Sequence, residues 1–254
     1  MPHTRRRLAL LAALLLTAPT ILTVAAQQRE VRFPAAGGQM VFGTWYPAEG
    51  TARAIIIALH QGGASGDAEY GPIVPRLTAG GFDMLTVDLR SGGDRFGGLN
   101  RTVQLRGSSA DYCDAGADIA GALRFVRMQA PDTPIILWGS SFSAALVIRE
   151  AVTDSAGVVG VLAFSPASGE PMAGCQPEQA AERIAVPLLV LRPRSEMALD
   201  HVGQQAVRFR MAGHKVVVAA PGTHGSSMLV AERVDGPVAG TWAEVEGFLR
   251  DVAP

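Results

Sequence analysis

Two hydrophobic periods take turns along this chain. Short runs rich in Val, Ile and Leu are separated by helix-length stretches, which predicts a mostly parallel sheet covered on both faces. Strands are predicted near Val31–Phe33, Met40–Tyr46, Ala54–Leu59, Met84–Val87, Ile135–Trp138, Val158–Phe164, Leu188–Leu191 and Val216–Ala219. The first two, joined through Gly37-Gly38, read as an antiparallel edge. Helices are predicted over Tyr70–Ala79, Asp114–Gln129, Phe142–Thr153, Pro177–Arg183, Leu199–Met211 and Val238–Val252. The second is the clearest, with Ile119, Leu123 and Val126 at helical spacing.

No internal repeat or domain boundary interrupts the pattern. A chain of 254 residues suffices for one large α/β domain. The longest irregular stretch, Arg90–Ser109, is rich in glycine and arginine. The segment Ser165–Ala185 has room for a short helix but not for a lid domain. Both fall at the C-terminal edge of the sheet, where open α/β folds bind ligands.

The first 26 residues stand apart. Arg5-Arg6-Arg7 precedes the apolar run Leu8–Leu16, and Val24-Ala25-Ala26 offers small residues before a cut at Gln27. This reads as a cleaved signal peptide, 1–26, ahead of a mature domain, 27–254. Export to a bacterial periplasm or beyond follows, with no stable membrane insertion after cleavage. Without the leader, 19 basic side chains face 23 acidic ones, a net charge of −4, and nothing suggests a nucleic-acid partner. In an oxidising compartment Cys113 and Cys175 are free to pair, the alternative being two small buried thiols. Their places beside two irregular segments predict a structural disulfide rather than a redox switch.

The candidate chemistry sits in Ile135-Ile136-Leu137-Trp138-Gly139-Ser140-Ser141-Phe142-Ser143-Ala144. An apolar strand stops at a glycine, a serine follows, and small residues open a helix. That is the setting of a nucleophile elbow, whose sharp turn needs small residues two before and two after the serine. Gly139 and Ser143 meet that demand, and the frame selects Ser141 rather than Ser140 or Ser143. The alternative is an ordinary strand-to-helix turn capped by a serine.

Further motifs occur in one order: Ala54–Leu59 running into His60-Gln61-Gly62-Gly63, Phe82–Asp88, Pro187–Leu191 running into Arg192-Pro193-Arg194-Ser195-Glu196, and Lys215–Val218 running into Pro221-Gly222-Thr223-His224-Gly225. In this order the chain resembles the α/β-hydrolases, and most closely their small, nearly lidless dienelactone-hydrolase-like branch, over about Val31 to Leu249. The resemblance implies a single-domain α/β-hydrolase fold with eight strands and a minimal lid. Dienelactone hydrolases proper use a cysteine nucleophile. Ser141 in that place implies a serine esterase instead.

The triad order of this fold is serine, acid, histidine. His224 follows the last strand and reads as the general base; Glu196 follows the seventh and reads as the orienting acid. Asp200 is the weaker alternative, because an acid in the first turn of a helix is explained by the helix dipole alone. His60 reads as a residue that orders its turn. The Phe142 N–H and one from Gln61 or Gly62 are expected to form the oxyanion hole, and the resemblance favours Gly62. Trp45, Tyr46, Trp138 and Phe96 are candidates for an acyl pocket, with core packing favoured for Trp138. Arginines 90, 95, 101 and 106 read by default as a solvated loop, with contact to anionic substrates as the alternative. No His-Glu-x-x-His, zinc-spaced cysteine cluster or phosphate-binding Gly-Lys loop occurs, so no metal and no cofactor are expected.

The sequence thus predicts an exported serine hydrolase that cleaves small-molecule carboxylic esters through an acyl-enzyme. An acyltransferase using the same triad is the nearest alternative. A non-catalytic binding protein on a hydrolase fold is the alternative from another class. Nothing in the pattern sets the oligomeric state.

Overall fold

The computed structural model describes residues 27–254, so the 1–26 leader expected from the sequence lies outside the described residues. Eight strands form one sheet: β1 (Arg29–Pro34), β2 (Met40–Tyr46), β3 (Ala54–Leu59), β4 (Phe82–Asp88), β5 (Ile135–Ser140), β6 (Val158–Phe164), β7 (Leu188–Pro193) and β8 (Lys215–Ala219). Their spatial order is β1-β2-β4-β3-β5-β6-β7-β8. β2 pairs antiparallel with both β1 and β4, and the remaining strands run parallel.

Residues two apart on one strand point to the same face, and both faces are apolar. Ile55, Ile57, Leu137, Val161 and Val190 face one side. There they meet α4 (Gly116–Gln129), α5 (Phe142–Thr153), the short α6 (Glu178–Ala181) and α7 (Asp200–Met211). Ile56, Ile136, Trp138, Leu162 and Leu191 face the other side, under α1 (Gly66–Tyr70), α2 (Val74–Ala79) and α8 (Ala239–Val252). The all-apolar reading of β3 and β5 therefore has a direct cause: both faces of these central strands are buried.

Two elements differ from expectation. The single helix predicted over Tyr70–Ala79 is two helices, α1 and α2, separated at Gly71-Pro72. Gly71 still has helical geometry and donates to Asp67 O at 2.8 Å, but Pro72 has no N–H with which to continue the ladder, so α1 ends there. The stretch Arg90–Ser109, read as irregular, contains α3 (Arg101–Arg106). Its signals were present in the sequence: the Asn100 side chain accepts from Val103 N–H at 2.9 Å as an N-cap, and Gly107 ends the helix at φ 86°.

Cys113 and Cys175 form a disulfide, with Cα atoms 5.6 Å apart and a separation of 62 in sequence. It ties the turn before α4 to the segment after β6. In the chain-entropy view, closing a loop of that length stabilises the fold by about 4 kcal/mol, less any native strain. Reduction is expected to lower Tm by roughly 6–15 °C while leaving turnover at room temperature unchanged. Thermal melts and ester assays with and without reductant check this; equal melting temperatures would show that the bridge does not stabilise the fold.

Candidate active site

β5 delivers Ser141 to the C-terminal edge of the sheet, immediately before α5. Ser141 has φ 62° and ψ −117°, a conformation L-residues adopt only under constraint. The constraints are visible. Its N–H donates to Phe164 O at 2.8 Å, and its own carbonyl accepts from Ala167 N–H at 3.0 Å. Gly139 lies so close to α5 that a β-carbon there would meet Ala144 Cα and Ser143 O at 2.5 Å, which explains the small residue two before the serine. Ser143, where a second glycine is usual in the elbow, is buried and does positive work in the turn. Its Oγ accepts from Ser140 N–H at 2.8 Å and lies 2.7 Å from Leu59 O, to which it donates, tying the elbow to β3.

Glu196 and His224 come together. They sit on loops after β7 and β8, and His224 Nδ1 is 2.6 Å from Glu196 Oε1. An ionised carboxylate only accepts, so Nδ1 carries a proton, and in the neutral imidazole Nε2 then keeps its lone pair. The same Oε1 accepts from Ser165 Oγ–H at 2.9 Å, and Oε2 accepts from Arg192 at 2.8 Å. The His224 loop is docked on the elbow: Ser226 N–H donates to Ser140 Oγ at 2.9 Å, and Gly225 N–H to Ser165 Oγ at 3.1 Å. His224 remains half exposed, and among the described residues its Nε2 has no protein partner. Asp200 is exposed on the first turn of α7 and makes no ion pair among the described residues.

Burial pushes the Glu196 carboxyl upward, but His224, Arg192 and Ser165 outweigh it and hold its pKa below the usual carboxylate range. A depressed folded-state pKa gives stability that is present above the unfolded value of about 4.3 and lost as pH falls through the lower folded value. The stability gap between wild type and Glu196→Gln is therefore expected to be constant above about pH 5 and to close on further acidification. Urea unfolding across that range tests it; a gap that widens toward low pH would contradict the assigned charge.

Sequence reasoning missed the support behind this acid. Arg192 is only 2% exposed, and its guanidinium also donates to Pro166 O and Gln205 Oε1. A fully buried arginine at a strand end is not distinguishable by pattern from a surface one. Glu69 was missed for the same reason. It is buried on α1, and its carboxylate accepts from Gln61 N–H at 2.6 Å and from the Gln61 side chain at 3.2 Å. Burial raises its pKa, against hydrogen bonds from Ser140 and Gln61 and the charge of Arg233.

Glu69 also distinguishes the backbone N–H groups of the glycine-rich turn. The Gln61 N–H is already engaged, whereas Gly62 N–H takes no protein acceptor among the described residues. The turn itself is ordered by His60, wholly buried and held below its usual pKa by that burial. Its Nδ1 lies 2.9 Å from Gln61 O, and Nε2 accepts from Leu89 N–H at 2.9 Å. Asn100 braces it from the side and is itself buried.

Most of the aromatic pocket candidates lie elsewhere. Trp138 is in the core, stacked on Phe164 at 4.9 Å, and its Nε1–H donates to Ser226 Oγ at 2.9 Å. Trp45 and Tyr46 are engaged by Asp83 and Asp67. Phe96 is exposed and lies under the Arg233 guanidinium, 3.8 Å from its ring centroid. Of the four loop arginines, Arg90 pairs with Asp118 and Arg101 with Asp88, so both are structural. Among the described residues no cluster of His, Cys, Asp and Glu has metal-site geometry.

Residues 50–190 match the family model described as serine aminopeptidase, S33. The chain belongs to this family of α/β-hydrolases. The matched span carries β3, the glycine-rich turn and the elbow of the S33-family chain; Glu196 and His224 follow it. No curated protein matches. Among solved structures, a Pyrococcus furiosus esterase aligns at 16% identity and TM-score 0.69, covering 94% of this chain and 97% of its own. A thermostable carboxyl esterase from Bacillus coagulans aligns at 14% identity and TM-score 0.71, with 90% and 100% covered. A Pyrococcus horikoshii acylaminoacyl peptidase gives 15% and 0.63, covering 89% of this chain but only 42% of its own. The S33-family chain thus has the α/β-hydrolase fold along nearly its whole described length.

Proposed function

We propose that this chain hydrolyses small carboxylic esters through an acyl-enzyme, with Ser141 as nucleophile, His224 as general base and Glu196 as orienting acid. The observation that carries the reading is the 2.6 Å Glu196–His224 contact on a loop hydrogen-bonded to the strained elbow that presents Ser141. A serine hydroxyl attacks only when a base removes its proton, and Nε2 of a Glu-held imidazole is such a base. In the proposed reaction Ser141 Oγ attacks the ester carbonyl and its proton passes to Nε2. Glu196 stabilises the imidazolium. The N–H groups of Phe142 and Gly62 receive the oxyanion, the former at the N-terminus of α5 and the latter left free by the Glu69–Gln61 bond. The imidazolium then protonates the departing alcohol, and water repeats the cycle on the acyl-enzyme.

Esters are favoured over peptides because the esterase folds match along both chains, whereas the peptidase match covers 42% of that larger chain. Turnover of p-nitrophenyl acetate or butyrate against an aminoacyl p-nitroanilide tests this; faster cleavage of the anilide would reverse it. Product analysis with added alcohol separates a hydrolase from an acyltransferase. We further propose that residues 1–26 are an export leader and 27–254 the mature domain, in keeping with the Cys113–Cys175 bridge. No helix among the described residues is long and apolar enough to cross a membrane.

A further inference from the structure

Tyr112 stands between the two segments to which the oxyanion donors are assigned. Its ring lies flat on that of Phe142, with centroids 4.5 Å apart and planes at 13°. Its hydroxyl lies against Gly62, so close that a β-carbon at position 62 would collide with it. Glycine at 62 is therefore what makes room for the phenol.

The placement is built rather than incidental. Tyr112 opens the turn before α4, and its neighbour Cys113 is bridged to Cys175. On the other side the Asp111 carbonyl accepts from Ser91 Oγ–H at 2.8 Å. Phe142, under the ring, is itself buried and edge-on to His60 at 6.2 Å. Yet the Tyr112 hydroxyl has no hydrogen-bond partner among the described residues. The stack accounts for an aromatic ring at this position, and a phenylalanine would satisfy it equally. It leaves the hydroxyl unexplained: a fixed donor, half-buried and without a protein acceptor, beside Gly62.

We propose that the Tyr112 hydroxyl is a third donor to the oxyanion, making Tyr112 a catalytic residue. The inference rests on the reading of Ser141 as nucleophile. As the Ser141 Oγ–carbon bond forms, the carbonyl π electrons move to oxygen and the serine proton goes to His224. The Tyr112 O–H then points at the new negative charge and keeps its own proton throughout. Such a donor stabilises the transition state more than the neutral ester, so it acts on kcat rather than on KM.

The test compares wild type, Tyr112→Phe and Ser141→Ala on p-nitrophenyl butyrate, with inhibition by a trifluoromethyl ketone and a thermal melt for each. Tyr112→Phe keeps the ring and removes only the hydroxyl. The expected result is a kcat lowered roughly 10–100-fold, KM changed by less than about twofold, and ketone inhibition weakened by about the same factor as kcat/KM, with the melt unchanged. Turnover and ketone inhibition within about twofold of wild type would overturn the proposal. So would loss of a cooperative melt in Tyr112→Phe, which would make the hydroxyl structural. Wild-type turnover in Ser141→Ala, or no ester turnover by wild type, would instead sink the reading of Ser141 on which the proposal rests.

Discussion

Ser141→Ala is expected to lower ester turnover by roughly 10⁴–10⁶-fold while leaving the melting temperature unchanged. The size follows from what the hydroxyl does. Without it no acyl-enzyme forms, and only the oxyanion donors and substrate binding remain to speed attack by water. The fold is spared because Ser141 holds the elbow through its backbone N–H and carbonyl, which alanine retains. The neighbouring serines are the controls. Ser140→Ala and Ser143→Ala remove hydroxyls that join loops inside the protein, so they are expected to cost about 1–2 kcal/mol of stability each and to keep measurable activity. Turnover lost equally in all three would point to a disrupted elbow rather than to a nucleophile.

His224→Ala is expected to be nearly as damaging, because nucleophile and base act as one unit. The double variant with Ser141→Ala should be hardly worse than either single one. Glu196→Gln is expected to lose less, roughly 10²–10⁴-fold, since the acid orients the imidazole and stabilises its charged form without touching substrate. Asp200→Ala should match wild type, because Asp200 is exposed on α7 while Glu196 holds His224. Steady-state kinetics of the four variants check the assignment; a larger loss in Asp200→Ala than in Glu196→Gln would reverse the choice of acid.

The fold was legible where burial is uniform. Ile55-Ile56-Ile57 and Ile135–Trp138 are apolar on both faces because helices cover both, and such runs announce a central parallel strand. The places of Ser141, Glu196 and His224 were legible because each follows a strand, and parallel strands bring their C-terminal ends to one edge. The break at Gly71-Pro72 and the cap of α3 at Asn100 were also written in the chain, but such signals are only a few residues long and compete with helical or irregular patterns around them. The buried polar partners were not legible. No local pattern sets Arg192, Glu69 and Ser165 apart from surface residues, and only the packing of β6, β7 and α1 around them reveals that they hold Glu196 and the glycine-rich turn. Tyr112 belongs with them: its significance depends on Gly62 and Phe142, fifty and thirty residues away in sequence.

The most direct measurement is covalent labelling with a fluorophosphonate followed by mass spectrometry of the modified peptide. Such a reagent phosphonylates a serine activated by a neighbouring base and leaves ordinary serines unmodified. The account predicts a single adduct on Ser141, absent after His224→Ala and coincident with loss of ester turnover. No adduct in folded, ester-hydrolysing protein, or an adduct on a different serine, would contradict it.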